Sequence, residues 1–333
     1  MPKRRRHITG IAFLAAAAIV LLMTNGRLGA EGLRIESADT IVDEAGRRVR
    51  IAQPFERIIS LYGAHTENLW ALGLDDQIIG VEAGAGHANK PAGKTEFSYH
   101  DDPEKFLAFH PDLVLIRPMI DRGYPQLVQR LSDHGVTVVS LQPGTIEEMY
   151  AYWQILGMLT GREKAALDMT AAFRAAVTDF QSLTEDVTPK KRVYFEAIHD
   201  KMKTFTPDSM AVFALQTAGG INIAADAGAV RGTNIAYYGK ERILAKAPDI
   251  DVYLAQAGPM NQPTIAMIET EPGYAIIAAV RQKEIYIIDE QIVSRPTPRL
   301  LIGIETIGKA LYPDVFTADK TAKITAAAAG SGG

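Results

Sequence analysis

Apolar, β-branched runs recur at 57–61 ("RIISL"), 77–83 ("QIIGVEA"), 113–117 ("LVLIR") and 136–141 ("VTVVSL"), and helical stretches at 65–73, 103–109 and 123–134 fall between them. No other feature constrains the fold as much. Strands that are apolar throughout, rather than alternating, are buried on both faces, and strands separated by helices pair in parallel. The alternation starts again at "RVYFEAI" (192–198) and continues through "GINIAA", "DVYLAQAG" (251–258) and "EIYIIDE" (284–290). Helices are expected there at 208–218, 239–246 and 297–311. The chain therefore reads as α/β, with two Rossmann-like lobes, each a mostly parallel sheet flanked by helices. An antiparallel hairpin precedes them, turning at Glu44-Ala45-Gly46 within "TIVDEAGRRVRI".

One long linker helix joins the lobes. Ala166, Met169, Phe173, Ala176, Phe180 and Leu183 recur at spacings of three and four, the helical period. Thr160 with Glu163 reads as its capping box and Thr188-Pro189 as its end. The preceding helix, 146–158, has its own pair in Thr145 and Glu148. The expected boundaries are a signal peptide at 1–30, a first lobe at 36–158, the linker helix at 160–187 and a second lobe at 190–316. The tail at 317–333 is small and polar in composition and is expected to be disordered.

The N-terminus carries an address. Lys3, Arg4, Arg5 and Arg6 precede the apolar run "IAFLAAAAIVLLM", and small residues lead to "RLGA". Basic, apolar and small-residue parts in that order form a cleavable export signal, with Ala30 as the last residue removed. The apolar run is short for a membrane-spanning helix, which needs about 20 residues. The chain has no cysteine, so it uses no disulfide and offers no cysteine for a lipid anchor. The expectation is a soluble, monomeric protein of the periplasm. Residues 1–30 hold five Lys/Arg and no Asp/Glu, which leaves 30 cationic against 39 acidic side chains and a balance of −9. Such a surface argues against nucleic acid as a partner.

Enzyme classes find little support. "ANKPAGKT" (88–95) fits a loose phosphate-binding pattern. A P-loop, however, must pass straight into a helix and offer backbone N–H groups to phosphate. Here Pro91 removes a donor, and "EFSYHDDPEK" after Thr95 has no helical period. "AGAGH" (83–87) lacks the third glycine of a dinucleotide fingerprint. A secreted α/β hydrolase would carry G-x-S-x-G, which does not occur. No catalytic residue is assigned.

The lobes share a repeat. "EKFLAFHPDLVLI" from Glu104 and "ERILAKAPDIDVYL" from Glu241 place Glu, a basic residue, an apolar residue, Leu-Ala and Pro-Asp at the same offsets. Each reads as a short helix, a turn and a strand. On these repeats, on "RIISLYGAHTENLWALGLDDQIIGV", on "AGGINIA" (218–224) and on "AVRQKEIYIIDEQIVSRPTPRLLIGIETIGKALYP" (279–313), the chain resembles the substrate-binding proteins of ABC importers that take up iron–siderophore complexes, haem or cobalamin. The resemblance covers residues 40–316. It implies two α/β lobes on a rigid helix, a ligand held between them and no resident cofactor. The ligand is then an iron chelate (a ferric siderophore or haem) or, alternatively, a corrinoid. The resemblance also implies that Glu104 and Glu241 dock one lobe each onto arginines of the importer's permease, whose attached ATPase subunits spend the ATP.

Ligands of open α/β sheets sit beyond the carboxyl ends of the strands. That rule selects Tyr62 and His65 after the first strand, His87, Tyr99 and His100 after the second, and Arg117 after the third. In the second lobe it selects His199, Gln256 and Arg295. Arg231 and Tyr238 fall in a long polar loop of that lobe. A His/Tyr set can ligate iron or hydrogen-bond a ligand's edge, and the sequence leaves both readings open. A free-metal-ion site built from His65, His87, His100 and His199 is the other binding class. The arginines favour an anionic partner.

Overall fold

The structure, a computed structural model, describes residues 33–84, 93–229 and 233–330. The expected export signal lies outside them. The first described elements are β1 (Arg34–Ser37), β2 (Thr40–Val42) and β3 (Arg48–Arg50), a separate antiparallel sheet that contains the expected hairpin. Its register is fixed by Ile41 and Val49, which pair opposite each other and are both buried.

The first lobe follows as β4 (Ile58–Ser60), α1 (Gly63–Ala71), β5 (Ile78–Glu82), β6 (Thr95–Phe97), α2 (Pro103–Leu107), β7 (Leu113–Ile116), α3 (Pro118–Gly123), α4 (Pro125–Asp133) and β8 (Thr137–Ser140). The sheet order is β6-β5-β4-β7-β8 and every pairing is parallel. β4 and β7 are buried along their whole length, as continuous apolar runs predict. β6 was not expected. It shows why "ANKPAGKT" is no P-loop: Thr95 starts an edge strand, and Lys94 donates to the Asp75 carbonyl at 2.6 Å.

α5 (Ile146–Thr160) begins at the expected box, in which Thr145 and Glu148 cap each other reciprocally. The second box is not formed. Thr160 belongs to the end of α5 and donates to the Leu156 carbonyl, and Gly161, at φ +65°, closes that helix. The linker helix α6 therefore runs Glu163–Leu183, with Arg162 at its N-cap. Its length is about 31 Å at 1.5 Å per residue. It buries Ala166, Thr170, Phe173, Ala176, Val177 and Phe180.

The second lobe comprises β9 (Arg192–Ile198), β10 (Lys203–Phe205), α7 (Met210–Thr217), β11 (Ile221–Asn222), β12 (Ile235–Tyr237), α8 (Lys240–Ala245), β13 (Val252–Ala257), α9 (Ile265–Thr270), α10 (Ala278–Gln282), β14 (Ile285–Asp289), α11 (Glu290–Val293) and α12 (Leu300–Leu311). The sheet order is β12-β10-β9-β13-β14, and β11 adds to β9. Here β9, β11, β13 and β14 run parallel, and β10 alone is reversed, pairing antiparallel with both β9 and β12. The tail is not the expected disordered segment. It forms α13 (Ala318–Gly330), which packs on α6 and α12, with Ile324 buried and the Thr321 hydroxyl donating to Glu305 at 2.7 Å. Among the described residues, no helix is long and apolar enough to cross a membrane.

Candidate functional site

The carboxyl ends of the parallel strands in both sheets converge on one charged cluster. β4 delivers Tyr62, β5 ends on Glu82 and β7 leads into Arg117. Tyr62 is the N-cap of α1, and the Gly63 N–H behind it donates to Glu82 Oε2 at 3.2 Å. Glu82 thus satisfies one of the orphan donors of that helix end. The Arg117 guanidinium lies over the Tyr62 ring, 4.5 Å from its centroid, and 3.9 Å from Glu82 Oε1. Its Nε is buried without a partner among the described residues.

From the second lobe, Glu290 opens α11 and the segment 294–299 crosses to the first lobe. Arg295 Nη1 donates to Glu67 Oε1 at 2.8 Å, and Arg299 reaches the same oxygen at 3.3 Å. Asn68 Nδ2 and Trp153 Nε1 both donate to the Pro296 carbonyl, at 3.0 and 3.2 Å. The Glu290 carboxylate rests where a side chain at position 258 would stand: a Cβ on Gly258 would lie 2.0 Å from Oε2.

The electrostatics follow from burial. Burial pushes the Tyr62 phenol up to about 12 against the pull of Arg117 and Arg295, so it stays neutral. Burial also raises the Glu82 carboxyl, opposed by Arg117, and the Glu290 carboxyl, opposed by Arg295. Tyr62, Glu82 and Glu290 all sense both Arg117 of the first lobe and Arg295 of the second.

Several selected residues stand elsewhere. His65 is fully buried. Its Nε2–H donates to the Ile116 carbonyl at 3.1 Å, and its Nδ1 accepts from the Tyr152 hydroxyl at 2.6 Å. Burial pushes it down to about 3, so it is a neutral core histidine closed to any ligand. Tyr238 is also core, with its hydroxyl on Asp226 at 3.1 Å and the Arg242 guanidinium over its ring. His199 is buried rather than cleft-facing. Its Nδ1–H donates to Glu196 at 2.9 Å, and its Nε2 lies 3.7 Å from Glu271. Tyr99 and His100 form an aromatic cluster with Tyr124, whose hydroxyl meets His100 Nδ1 at 3.1 Å, beside the edge strand β6. Arg231 and His87 lie outside the described residues.

The strand-end rule also selects Glu82 and Glu290, yet sequence reasoning looked there for His, Tyr, Gln and cations and passed over the carboxylates. Glu67, one turn into α1, carried no such signal. Arg117 and Arg295, selected as anion binders, already face carboxylates. Among the described residues, no three His, Asp or Glu side chains are grouped to hold a metal ion. An apolar hollow of about 420 Å³ lies beside β14, α9 and α12, lined by Ile265, Ile285, Ile287 and Lys309 among others, and contains none of the selected residues.

A model of the periplasmic binding protein family matches residues 58–292. The chain belongs to that family. An ABC transporter substrate-binding lipoprotein of Bacillus subtilis is 28% identical over 284 residues, covering 83% of this chain and 86% of that one. A cobalamin-binding protein of Halobacterium salinarum is 24% identical, covering 81% and 73%. A solved structure from Staphylococcus epidermidis, a possible iron-binding, periplasmic solute-binding protein, superposes with a TM-score of 0.68 at 26% identity, covering 78% of this chain and all of that one. Fold, family and relatives agree on a solute-binding protein. The charged strand ends occupy the place where open α/β sheets hold ligands.

Proposed function

We propose that this periplasmic binding protein captures a metal chelate between its lobes and hands it to the permease of an ABC importer, without catalysis. One observation carries the reading. Tyr62, Glu82 and Arg117 of one sheet meet Glu290 and Arg295 of the other in a shared electrostatic cluster. The relatives supply the class of cargo, since their names span iron and cobalamin. The cargo is then a ferric siderophore, haem or a corrinoid, bound by a monomer exported through the N-terminal signal. Tyr62, Arg117 and Arg295 are the ligand contacts. Recovery from the native periplasm, followed by a visible spectrum and native mass, tests the reading. A Soret band identifies haem, a corrin spectrum a corrinoid, and a weak charge-transfer band with a small added mass a siderophore. Tight binding of free metal ions with none of these chelates would overturn it. Hydrolysis of generic esters above background would overturn the absence of catalysis.

Docking falls to Glu104 and Glu241. Both are exposed in the first turn of matching helices, α2 and α8. Glu104 already pairs with Arg130 at 2.8 Å and would exchange it for a permease arginine. Charge pairs at a rim set orientation and on-rate more than affinity. Replacing both by Ala should therefore nearly abolish uptake in vesicles while ligand affinity in solution is unchanged. Normal uptake by the double variant would remove the assignment.

A further inference from the structure

Among the described residues, six charged groups at the centre of the cleft cluster balance. Glu67, Glu82 and Glu290 stand against Arg117, Arg295 and Arg299, which sums to zero. Little water reaches it: side-chain exposure is 9% for Glu67, 10% for Arg295, 17% for Glu82 and 23% for Arg117. Arg295 and Arg299 are both committed to one oxygen of Glu67. Arg117 has Glu82 opposite it and Tyr62 beneath it. No guanidinium among these six groups stands without a facing carboxylate. A multiply anionic ligand must therefore displace a glutamate from its arginine or lie against Glu82 and Glu290 in a medium of low dielectric. Both are unfavourable. An uncharged ligand that carries amides meets neither obstacle. Its carbonyls accept from the partly exposed Arg117 guanidinium, and its N–H groups donate to the two carboxylates.

We infer that Glu82 and Glu290 make the cleft selective for a metal chelate of zero net charge bearing amide groups, and exclude polyanionic chelates. The inference rests on the metal-chelate reading above and narrows it. Burial raises both carboxyls, as expected where little water screens them from a second negative charge.

The test is a titration, by calorimetry or intrinsic fluorescence, of three probes: cyanocobalamin, an uncharged ferric trihydroxamate and a trianionic ferric triscatecholate. The wild-type protein should bind at least one uncharged probe about 100-fold more tightly than the triscatecholate. Glu82→Gln with Glu290→Gln keeps the side-chain shape and an oxygen for the Gly63 N–H. It should narrow that gap by about tenfold or more through tighter triscatecholate binding. Equal or tighter wild-type binding of the triscatecholate overturns the inference and leaves the metal-chelate reading standing. So does an unchanged gap in the folded double variant. If that variant does not fold, the wild-type panel decides alone. Binding of none of the three overturns the inference, and the metal-chelate reading falls with it only if haem does not bind either. The two uncharged probes separate a corrinoid from a siderophore.

Discussion

Each lobe places a histidine just past its first central strand, His65 after β4 and His199 after β9, and both are buried. Their surroundings are opposite. His65 meets a hydroxyl and a carbonyl, and burial holds it neutral, down to about 3. His199 meets two carboxylates, and its hydrogen bond to Glu196 holds it above 6.5 despite burial. Equal topology and equal burial thus leave the protonation state undecided. The neighbouring strand decides it: β9 brings the fully buried Glu196, whose Oε2 also accepts from the Tyr253 hydroxyl.

The largest effect should come from that carboxylate. Glu196→Ala leaves the His199 charge and the Tyr253 hydroxyl without their shared partner inside the second lobe. Breaking a buried pair from one side costs about 3–5 kcal/mol, and urea denaturation measures it. A loss below about 1 kcal/mol would mean that His199 is neutral there and that the two histidines are alike after all.

Next in size are two opposed pH effects. The folded pKa of His65 lies below its unfolded value of 6.5. Its contribution is therefore present above pH 6.5 and is lost as pH falls towards the folded value, by about 2.5 kcal/mol between pH 6.5 and about pH 4.5. His199 is raised, so its contribution is complete below pH 6.5 and disappears as pH rises through the folded value. Stability profiles of wild type, His65→Gln and His199→Gln separate them. The first variant should lose acid sensitivity that wild type has, and the second should lose alkaline sensitivity. Identical acid limbs in wild type and His65→Gln would show that His65 opens to solvent.

What the sequence disclosed tracks how far each signal depends on distant partners. The central strands were legible because β4, β7, β9 and β13 are buried by being central, and their apolar runs say so. The Thr145/Glu148 box was legible because it closes within four residues. The strands β6, β10 and β12 were not. Each has three residues, and two of them are edges of their sheets, so pairing partners define them more than composition does. The tail helix was missed for a related reason: small residues give no amphipathic stripe, and α13 is held by Ile324 and Thr321 on surfaces that the rest of the fold supplies. At the site, the strand-end rule located Tyr62, Arg117 and Arg295. It gave no warning that each arginine meets a carboxylate, because Glu67 and Arg295 are 228 residues apart. Nor could it tell a cleft histidine from a core one, since His65 is closed off by Tyr152 from α5.

The smallest effect concerns the repeat itself. Asp112 and Asp249 occupy matching positions in the two Pro-Asp turns, but they do different work. Asp112 accepts the backbone N–H groups of Glu56 and Arg57, both at 2.9 Å, and so fixes the entry to β4. In the second lobe that task falls two residues later, to Asp251, which accepts the Arg192 N–H at 2.8 Å where β9 begins. Asp249 holds only the exposed Arg192 side chain, at 2.7 Å. Asp112→Ala should lower stability by about 1 kcal/mol, the net worth of such hydrogen bonds, and Asp251→Ala should act in the same direction. Asp249→Ala should produce no measurable change, as exposed ion pairs commonly do. Chemical denaturation of the three variants under one condition makes the comparison. An Asp249→Ala loss equal to that of Asp112→Ala would mean that the repeat is equivalent in energy as well as in sequence. The expected inequality would mean that the second lobe kept the letters of the turn and moved its anchor from position 249 to position 251.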